Sequence, residues 1–126
     1  MTREDFDEFC GGLPHTTHVV QWGAVSVWKI GGKMFALGDR EEKLDAFCIS
    51  FKTTEMSFEI LREQPGCRPA PYLASRGAPW IQQLTDETLN DIDLQAYITQ
   101  SYKIVGSGLP KKTQRDLGFL PEKDSE

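Results

Sequence analysis

The sequence predicts an α+β protein in which helices pack on one face of an antiparallel β-sheet. Four short runs rich in Val, Ile, Phe and Trp follow one another between residues 19 and 51, and such runs are typical of strands. A Gly31-Gly32 pair separates two of these runs by two residues, as a tight antiparallel hairpin requires. Segments with helical periodicity flank the strands on both sides, and this order favours the α+β class.

A first helix is predicted immediately after Thr2, which is placed to act as its N-cap. Glu4 and Asp5 fall in the first turn, where carboxylates meet the positive end of the helix dipole. The Gly11-Gly12 pair ends the helix. Its buried face is expected to hold Phe6, Phe9 and Cys10.

The four β-rich runs cover residues 19–22, 25–30, 33–37 and 46–51, and their short connections predict an antiparallel meander. Both turn glycines accept the positive φ angles of a type I′ turn. Lys29 and Lys33 then stand at the tip of the hairpin, which is expected to protrude with a positive charge. The register predicted from this turn pairs Ser26 with Leu37, Val27 with Ala36, Trp28 with Phe35 and Lys29 with Met34.

A second helix is predicted at 54–64, with Thr53 as its N-cap and Pro65-Gly66 as its end. A fifth strand follows at 79–84, centred on Trp80 and Ile81. The buried stripe of the second helix is expected to hold Met56, Ile60 and Leu61.

The longest helix is predicted to begin at Asp91 or Asp93 and to end at Gly106 or Gly108. Pro110 then suits the first position of a short basic helix that Gly118 ends. The inner face of the long helix repeats about every 3.6 residues and consists of Leu94, Ile98, Ser101 and Val105.

Length and composition indicate one globular domain, expected to span residues 1–120 with a polar tail at 121–126. Hydrophobic residues make up 39% of the 126 residues and charged residues 26%, which excludes a disordered or low-complexity chain. The acidic start and the absence of a long apolar run predict neither export nor a membrane. Three widely spaced cysteines form no disulfide framework, so we expect a cytoplasmic protein. We also expect it to be a monomer.

Charge is distributed unevenly along this chain, whose formal net charge is -5. Residues 1–10, 39–45, 86–93 and 122–126 together sum to -11, so the remaining stretches must sum to +6. The preference of helix starts for carboxylates and of helix ends for basic residues accounts for part of this segregation. The sequence leaves open whether the surplus cations share one face.

Several short motifs, in this order and spacing, resemble the MmcQ/YjbR family of small bacterial proteins. They are Leu13-Pro14-His15, Gln21-Trp22-Gly23, Gly32-Lys33-Met34-Phe35-Ala36, Pro71-Tyr72, Trp80 and Gln100-Ser101-Tyr102-Lys103-Ile104-Val105. The resemblance implies a frataxin-type, CyaY-like α+β sandwich with two projecting β-loops that have been compared with a double-wing DNA-binding motif. Some members place His or Asn before the Trp, and residues 73–80 depart from that pattern.

The resemblance implies a non-enzymatic protein that binds double-stranded DNA through its phosphates. The hairpin tip would form one wing, and the loop from Arg68 to Arg76 would form the second. A pI near 5.0 requires the basic side chains to be concentrated on one surface for such binding. The expected contacts are Lys29, Lys33, Arg68, Arg76, Lys111, Lys112 and Arg115.

Three other interpretations are open to the sequence. An adaptor could bind an unidentified protein or a small ligand in the groove between the sheet and the long helix. Cys10, His15 and His18 lie close together in sequence, but their spacing matches no zinc pattern, so we expect no metal or cofactor. Cys48 or Cys67 paired with a histidine lacks an orienting third group, so no catalytic residue is expected.

The aromatic residues also have two interpretations, because an exposed ring can stack on a base whereas strand and helix spacing favours the core. Lys33 also has two interpretations, since it can act as a solubilising charge or as a phosphate contact. The aromatic residues concerned are Trp22, Trp28, Phe35, Tyr72, Trp80 and Tyr102.

Overall fold

The computed structural model describes residues 1–120, so the tail predicted at 121–126 lies outside the described residues. The helices are α1 (Arg3–Gly11), α2 (Glu55–Leu61), α3 (Asp91–Ser107) and α4 (Lys111–Asp116). A single 3-10 turn covers Ala74–Arg76. The strands are β1 (Thr16–Gln21), β2 (Val25–Ile30), β3 (Lys33–Glu41), β4 (Ala46–Lys52), β5 (Cys67–Pro69) and β6 (Trp80–Gln83).

The six strands form one sheet in the order β1-β2-β3-β4-β6-β5, and every pair of neighbours is antiparallel. This confirms the α+β class and the meander of the first four strands. β5 is an addition to the predicted elements, because three residues that end in Pro69 carry too little alternation to be recognised as a strand.

The β2–β3 hairpin has the predicted turn but a different register. Gly31 and Gly32 adopt φ angles of 58° and 82°, and Lys29 lies opposite Met34 as predicted. A β-bulge then shifts the register, so that Trp28 lies opposite Ala36 instead of Phe35. The bulge places an extra residue in β3, and Phe35 and Ala36 are both fully buried. Beyond it, Val27 pairs with Leu37 and Ser26 with Gly38.

One hydrophobic core lies between the helices and one face of the sheet. α1 contributes Phe6 and Cys10 to this core, and α3 contributes Leu94, Ile98 and Tyr102. Alternate residues of the strands complete it, among them Ile49, Phe51 and Ile81. Helices therefore cover one face of the sheet, as the sequence predicts.

The N-terminal cap of α1 is the one that the sequence predicts. The Thr2 hydroxyl accepts from the Asp5 N–H, and the Asp5 carboxylate accepts from the Thr2 N–H, which forms a complete capping box. Asn90 and Asp93 form the same motif at the start of α3. α3 then ends at Gly108, one of the two predicted glycines.

The predicted buried stripe of α2 is wrong for two of its three residues. Leu61 is buried, but Met56 is 75% exposed and Ile60 is 56% exposed. The reason is a different N-cap: Thr54 caps a shorter helix, while Thr53 is buried and donates its backbone N–H to Pro79. Phe58, one turn before Leu61, packs against the core in place of the two exposed residues.

Ser101 joins α3 to two strands. Its hydroxyl donates to the Phe35 carbonyl at 2.6 Å and accepts from the Lys52 N–H at 2.9 Å. Phe35 lies at the bulge, where the strand ladder is interrupted. A buried hydroxyl therefore provides partners for backbone groups on β3 and β4 at once.

The β2–β3 turn also packs against the chain that follows α3. A Cβ atom added at Gly31 would lie 2.5 Å from Leu109 Cδ1, whereas one added at Gly32 would meet nothing within 4 Å. Leu109 is buried, so the hairpin tip rests against the C-terminal end of α3 rather than standing alone.

Ser101→Ala is expected to lower the free energy of unfolding by about 2 to 4 kcal/mol, because it leaves two backbone groups without their partner. Ser107→Ala, on the exposed surface of the same helix, should change it by less than about 0.5 kcal/mol. Urea denaturation followed by circular dichroism measures both values. Equal stabilities for the two variants would contradict the bridging role of Ser101.

Gly31→Ala and Gly32→Ala distinguish two constraints on the hairpin turn, the positive φ angle at both glycines and the close contact of Gly31 with Leu109. Both introduce a side chain at positive φ, which costs about 1 to 2 kcal/mol. Gly31→Ala must also displace Leu109, so its free energy of unfolding should fall further than that of Gly32→Ala. Denaturation of the two variants in parallel tests this order, and the reverse order would show that the tip does not rest on Leu109.

Candidate functional site

Two hairpin connections of the sheet, the β2–β3 turn and the β5–β6 loop, lie at the same end of the strands. At the β2–β3 turn Ile30 pairs with Lys33, and in the centre of the sheet Lys52 pairs with Trp80. β5 ends beside the start of β6, so the loop of residues 70–79 leaves the sheet at this end as well. We call this the tip end. The contact of Gly31 with Leu109 brings the C-terminal end of α3 and the start of α4 to it.

Basic side chains collect at the tip end. None of them forms a salt bridge within 4.0 Å to any carboxylate of residues 1–120. Fewer carboxylates than basic residues lie close to this group in the sequence, and they are Glu55, Glu59 and Asp116. The basic residues of the tip end are Lys29, Lys33, Lys52, Arg76, Lys103, Lys111, Lys112 and Arg115.

The opposite end of the sheet has the reverse charge. Arg3 donates to the Ala24 carbonyl, and the N-terminal ammonium lies 3.1 Å from Asp91, so α1 and α3 both begin there. Its arginines are neutralised by salt bridges, Arg3 with Asp7 and Arg40 with Asp45. The carboxylates of this end are Glu4, Asp5, Glu41, Glu42, Asp45, Asp86, Glu87, Asp91 and Asp93.

Six of the seven predicted contact residues belong to the tip end. Lys29 and Lys33 flank the hairpin turn, Arg76 lies in the loop of residues 70–79, and Lys111, Lys112 and Arg115 lie on α4. Lys111 and Lys112 are exposed, as are Lys33 and Arg76. The fold thus brings together cations that are distant in sequence.

Arg68 differs from the predicted arrangement because it lies within β5 and not in a loop. Its Nε donates to Gln82 at 2.8 Å, and its guanidinium lies 3.5 Å from the Glu41 carboxylate. Glu41 is on β3, so the side chain reaches back across the sheet, away from the tip end. The positive charge of Arg68 is therefore paired with the Glu41 carboxylate within the protein.

Lys52 and Lys103 were not predicted from sequence. Lys52 ends the central strand β4, and Lys103 lies on the exposed side of α3 just beyond Ser101. Lys52 lies in no motif, and the motif of residues 100–105 that contains Lys103 carries no sign of a phosphate contact. Their position at the tip end follows from the strand order and from the direction of α3. Tertiary structure alone reveals them.

An open groove of about 380 Å³ lies between the two hairpin connections. Its walls come from the β2–β3 hairpin, the loop of residues 70–79 and the end of α3. Two lysines, Lys33 and Lys52, lie among otherwise uncharged residues. The others are Met34, Leu73, Trp80, Ile104, Val105, Gly108 and Leu109.

The aromatic residues divide between core and surface. Phe35, Trp80 and Tyr102 are buried, and the Tyr102 hydroxyl donates to the Pro14 carbonyl at 2.6 Å. Trp22 is 66% exposed and Tyr72 is 83% exposed, both at positive φ. Core placement is therefore wrong for these two residues, which lie in a turn and a loop where no facing layer covers them.

The three cysteines are buried thiols. Desolvation raises the pKa of each above its ordinary value, and for Cys10 the neighbouring Asp7 carboxylate raises it further. A buried thiol with a raised pKa is a poor nucleophile and a poor metal ligand. Among residues 1–120 no group of three His, Cys, Asp or Glu side chains is arranged to hold a metal ion.

A Ser-His-Asp cluster is present, but its hydrogen bonds serve the fold. The Ser26 hydroxyl donates to Asp7 at 2.6 Å and lies 2.8 Å from His18 Nε2, while Trp28 Nε1 also donates to Asp7. In a catalytic triad the histidine lies between the acid and the serine. Here the serine lies between them and is fully buried, so the cluster fastens α1 to β1 and β2.

Comparisons with known proteins bear on the fold. A search of curated proteins found no match. Within the described residues no helix has the length and apolar character needed to cross a bilayer.

Solved structures of other proteins, among them the following two, are similar to this chain. A Deinococcus radiodurans protein with a DUF419 domain is 25% identical, with a TM-score of 0.77 over 93% of this chain and 88% of that one. A protein from Pseudomonas syringae is 21% identical, with a TM-score of 0.68 over 83% of this chain and 99% of that one. The resemblance noted in the sequence is confirmed by a family match over residues 11–104, and the chain belongs to the YjbR family.

Proposed function

We propose that this protein is a non-enzymatic, monomeric cytoplasmic protein that binds double-stranded DNA with its tip end. One observation carries the proposal: among residues 1–120, the basic side chains that form no salt bridge gather at this end, with Lys43 as the exception. Phosphate contacts by such cations release condensed counterions from DNA and supply most non-specific affinity. A paired arginine such as Arg68 would first have to leave its carboxylate.

The two hairpin connections are the proposed wings of a frataxin-type, CyaY-like fold. Lys29 and Lys33 would contact phosphates from the first, and Arg76 from the second. Lys111, Lys112 and Arg115 on α4 extend the same surface, together with Lys52 and Lys103. These cations come from several elements at one end of the sheet, so a ligand whose charges repeat along a line can meet several of them at once.

The acidic opposite end supports the same orientation. A protein with carboxylates at one end and cations at the other has a strong dipole, although its net charge is -5. In the field of a polyanion this dipole turns the tip end toward the ligand and the carboxylates away. Charge asymmetry thus answers the objection that an acidic protein should avoid DNA.

The test is fluorescence anisotropy with a labelled duplex at low salt, followed by a salt titration. The logarithm of the affinity should fall with the logarithm of salt concentration by about 0.9 for each phosphate contact. The double variant Lys29→Glu/Lys33→Glu should weaken binding at least about tenfold and flatten this slope by about 2, because it removes two contacts.

Lys43→Glu provides the matched control, since Lys43 is an exposed lysine without a described salt bridge in the turn between β3 and β4 at the opposite end. It should leave the affinity almost unchanged, and Arg68→Gln should do the same. Equal losses for Lys43→Glu and the double variant would contradict a localised interface. No binding at the lowest salt would overturn the proposal and favour the protein- or ligand-binding adaptor.

A further inference from the structure

The groove between the hairpin connections has a composition that phosphate binding does not require. Phosphates need cations and N–H donors on an accessible surface. This groove instead has an apolar lining, which includes Leu73, Trp80 and Val105, beneath two lysines. An apolar recess with cations beside it suits a flat hydrophobic group attached to an anionic chain, which describes a nucleotide.

Resting on the proposed function, we propose that the groove receives one unpaired base of a DNA duplex. Lys33 and Lys52 line the groove from two different strands, so they can contact the phosphates that flank an inserted base. The base would pack against the half-buried apolar residues of the lining, which are Leu73, Ile104 and Val105. An unpaired nucleotide is the easiest to turn out of a duplex, because no base pair has to be broken.

Charge distinguishes this groove from the larger one beside it. The recess between α2 and the loop of residues 70–79 has a volume of about 540 Å³, but Glu55 and Glu59 line it. Arg62, the one basic residue of that lining, is 3.8 Å from Glu59. Phosphates beside an inserted base would be repelled there, whereas the groove between the hairpins offers two lysines and no carboxylate in its described lining.

Gly108 offers a way to close the groove without straining the backbone. Its φ and ψ of -90° and -3° suit any L-residue, and an added Cβ would lie no closer than 3.5 Å to its neighbours. Gly108→Trp therefore places a large ring beside the groove. Gly12→Trp is a matched control, because Gly12 is the C-cap of α1 with similar angles and Cβ contacts, and it lines a different pocket beside Asp5 and Glu8.

The experiment compares three labelled duplexes: fully paired, with one bulged adenine, and with a bulged abasic site. The protein should bind the bulged adenine at least about fivefold more tightly than the abasic bulge, since stacking of one base is worth about 1 kcal/mol or more. Gly108→Trp should abolish this ratio while Gly12→Trp retains it. Thermal denaturation confirms that both variants are folded.

The outcomes separate this inference from the proposed function. Equal affinity for the adenine and abasic bulges, together with salt-dependent binding of all three duplexes, would contradict base binding in the groove. The proposed cationic DNA interface would then be retained. A preference for adenine that survives Gly108→Trp also overturns the groove as the base-binding site. Absence of binding to every duplex overturns the proposed function and this inference together.

Discussion

The two hydrogen bonds of Ser101 decide how the long helix lies on the sheet. They join α3 to β3 at the bulge and to β4 at its last residue, so the sliding of the helix along the strands is restricted. This position in turn sets where α3 ends, and Leu109 meets the turn at Gly31. The third wall of the groove and the location of α4 follow from that contact.

Helix dipoles explain only some of the charge at the tip end. Lys103 precedes the last turn of α3, where the dipole favours a cation only weakly, and Lys111 and Lys112 open α4, where the dipole disfavours one. Lys29, Lys33 and Lys52 lie on strands, and no helix dipole accounts for them. The arginines near carboxylates elsewhere form ion pairs. The fold therefore separates the basic side chains that form ion pairs from those at the tip end that do not.

Local chemistry predicted the parts of the fold that it governs. The Gly31-Gly32 turn, the Thr2 N-cap and the periodic face of α3 depend on neighbouring residues, so the sequence contains their signals. The Phe35 carbonyl at the bulge accepts from Ser101, which is distant in sequence, and β5 depends on pairing with β6. Arg68 could be placed only once β5 was known, and Lys52 and Lys103 only once the strand order was known.

Two kinds of contact meet at the tip end, and they respond differently to solvent. Cation-phosphate contacts weaken steeply as salt rises, because counterions compete for the same charges. Packing of a base against apolar side chains depends on the removal of surface from water and is far less sensitive to salt. A surface that combined both could approach any duplex through its charges and remain longer where a base is unpaired, since only there does the groove add its contact.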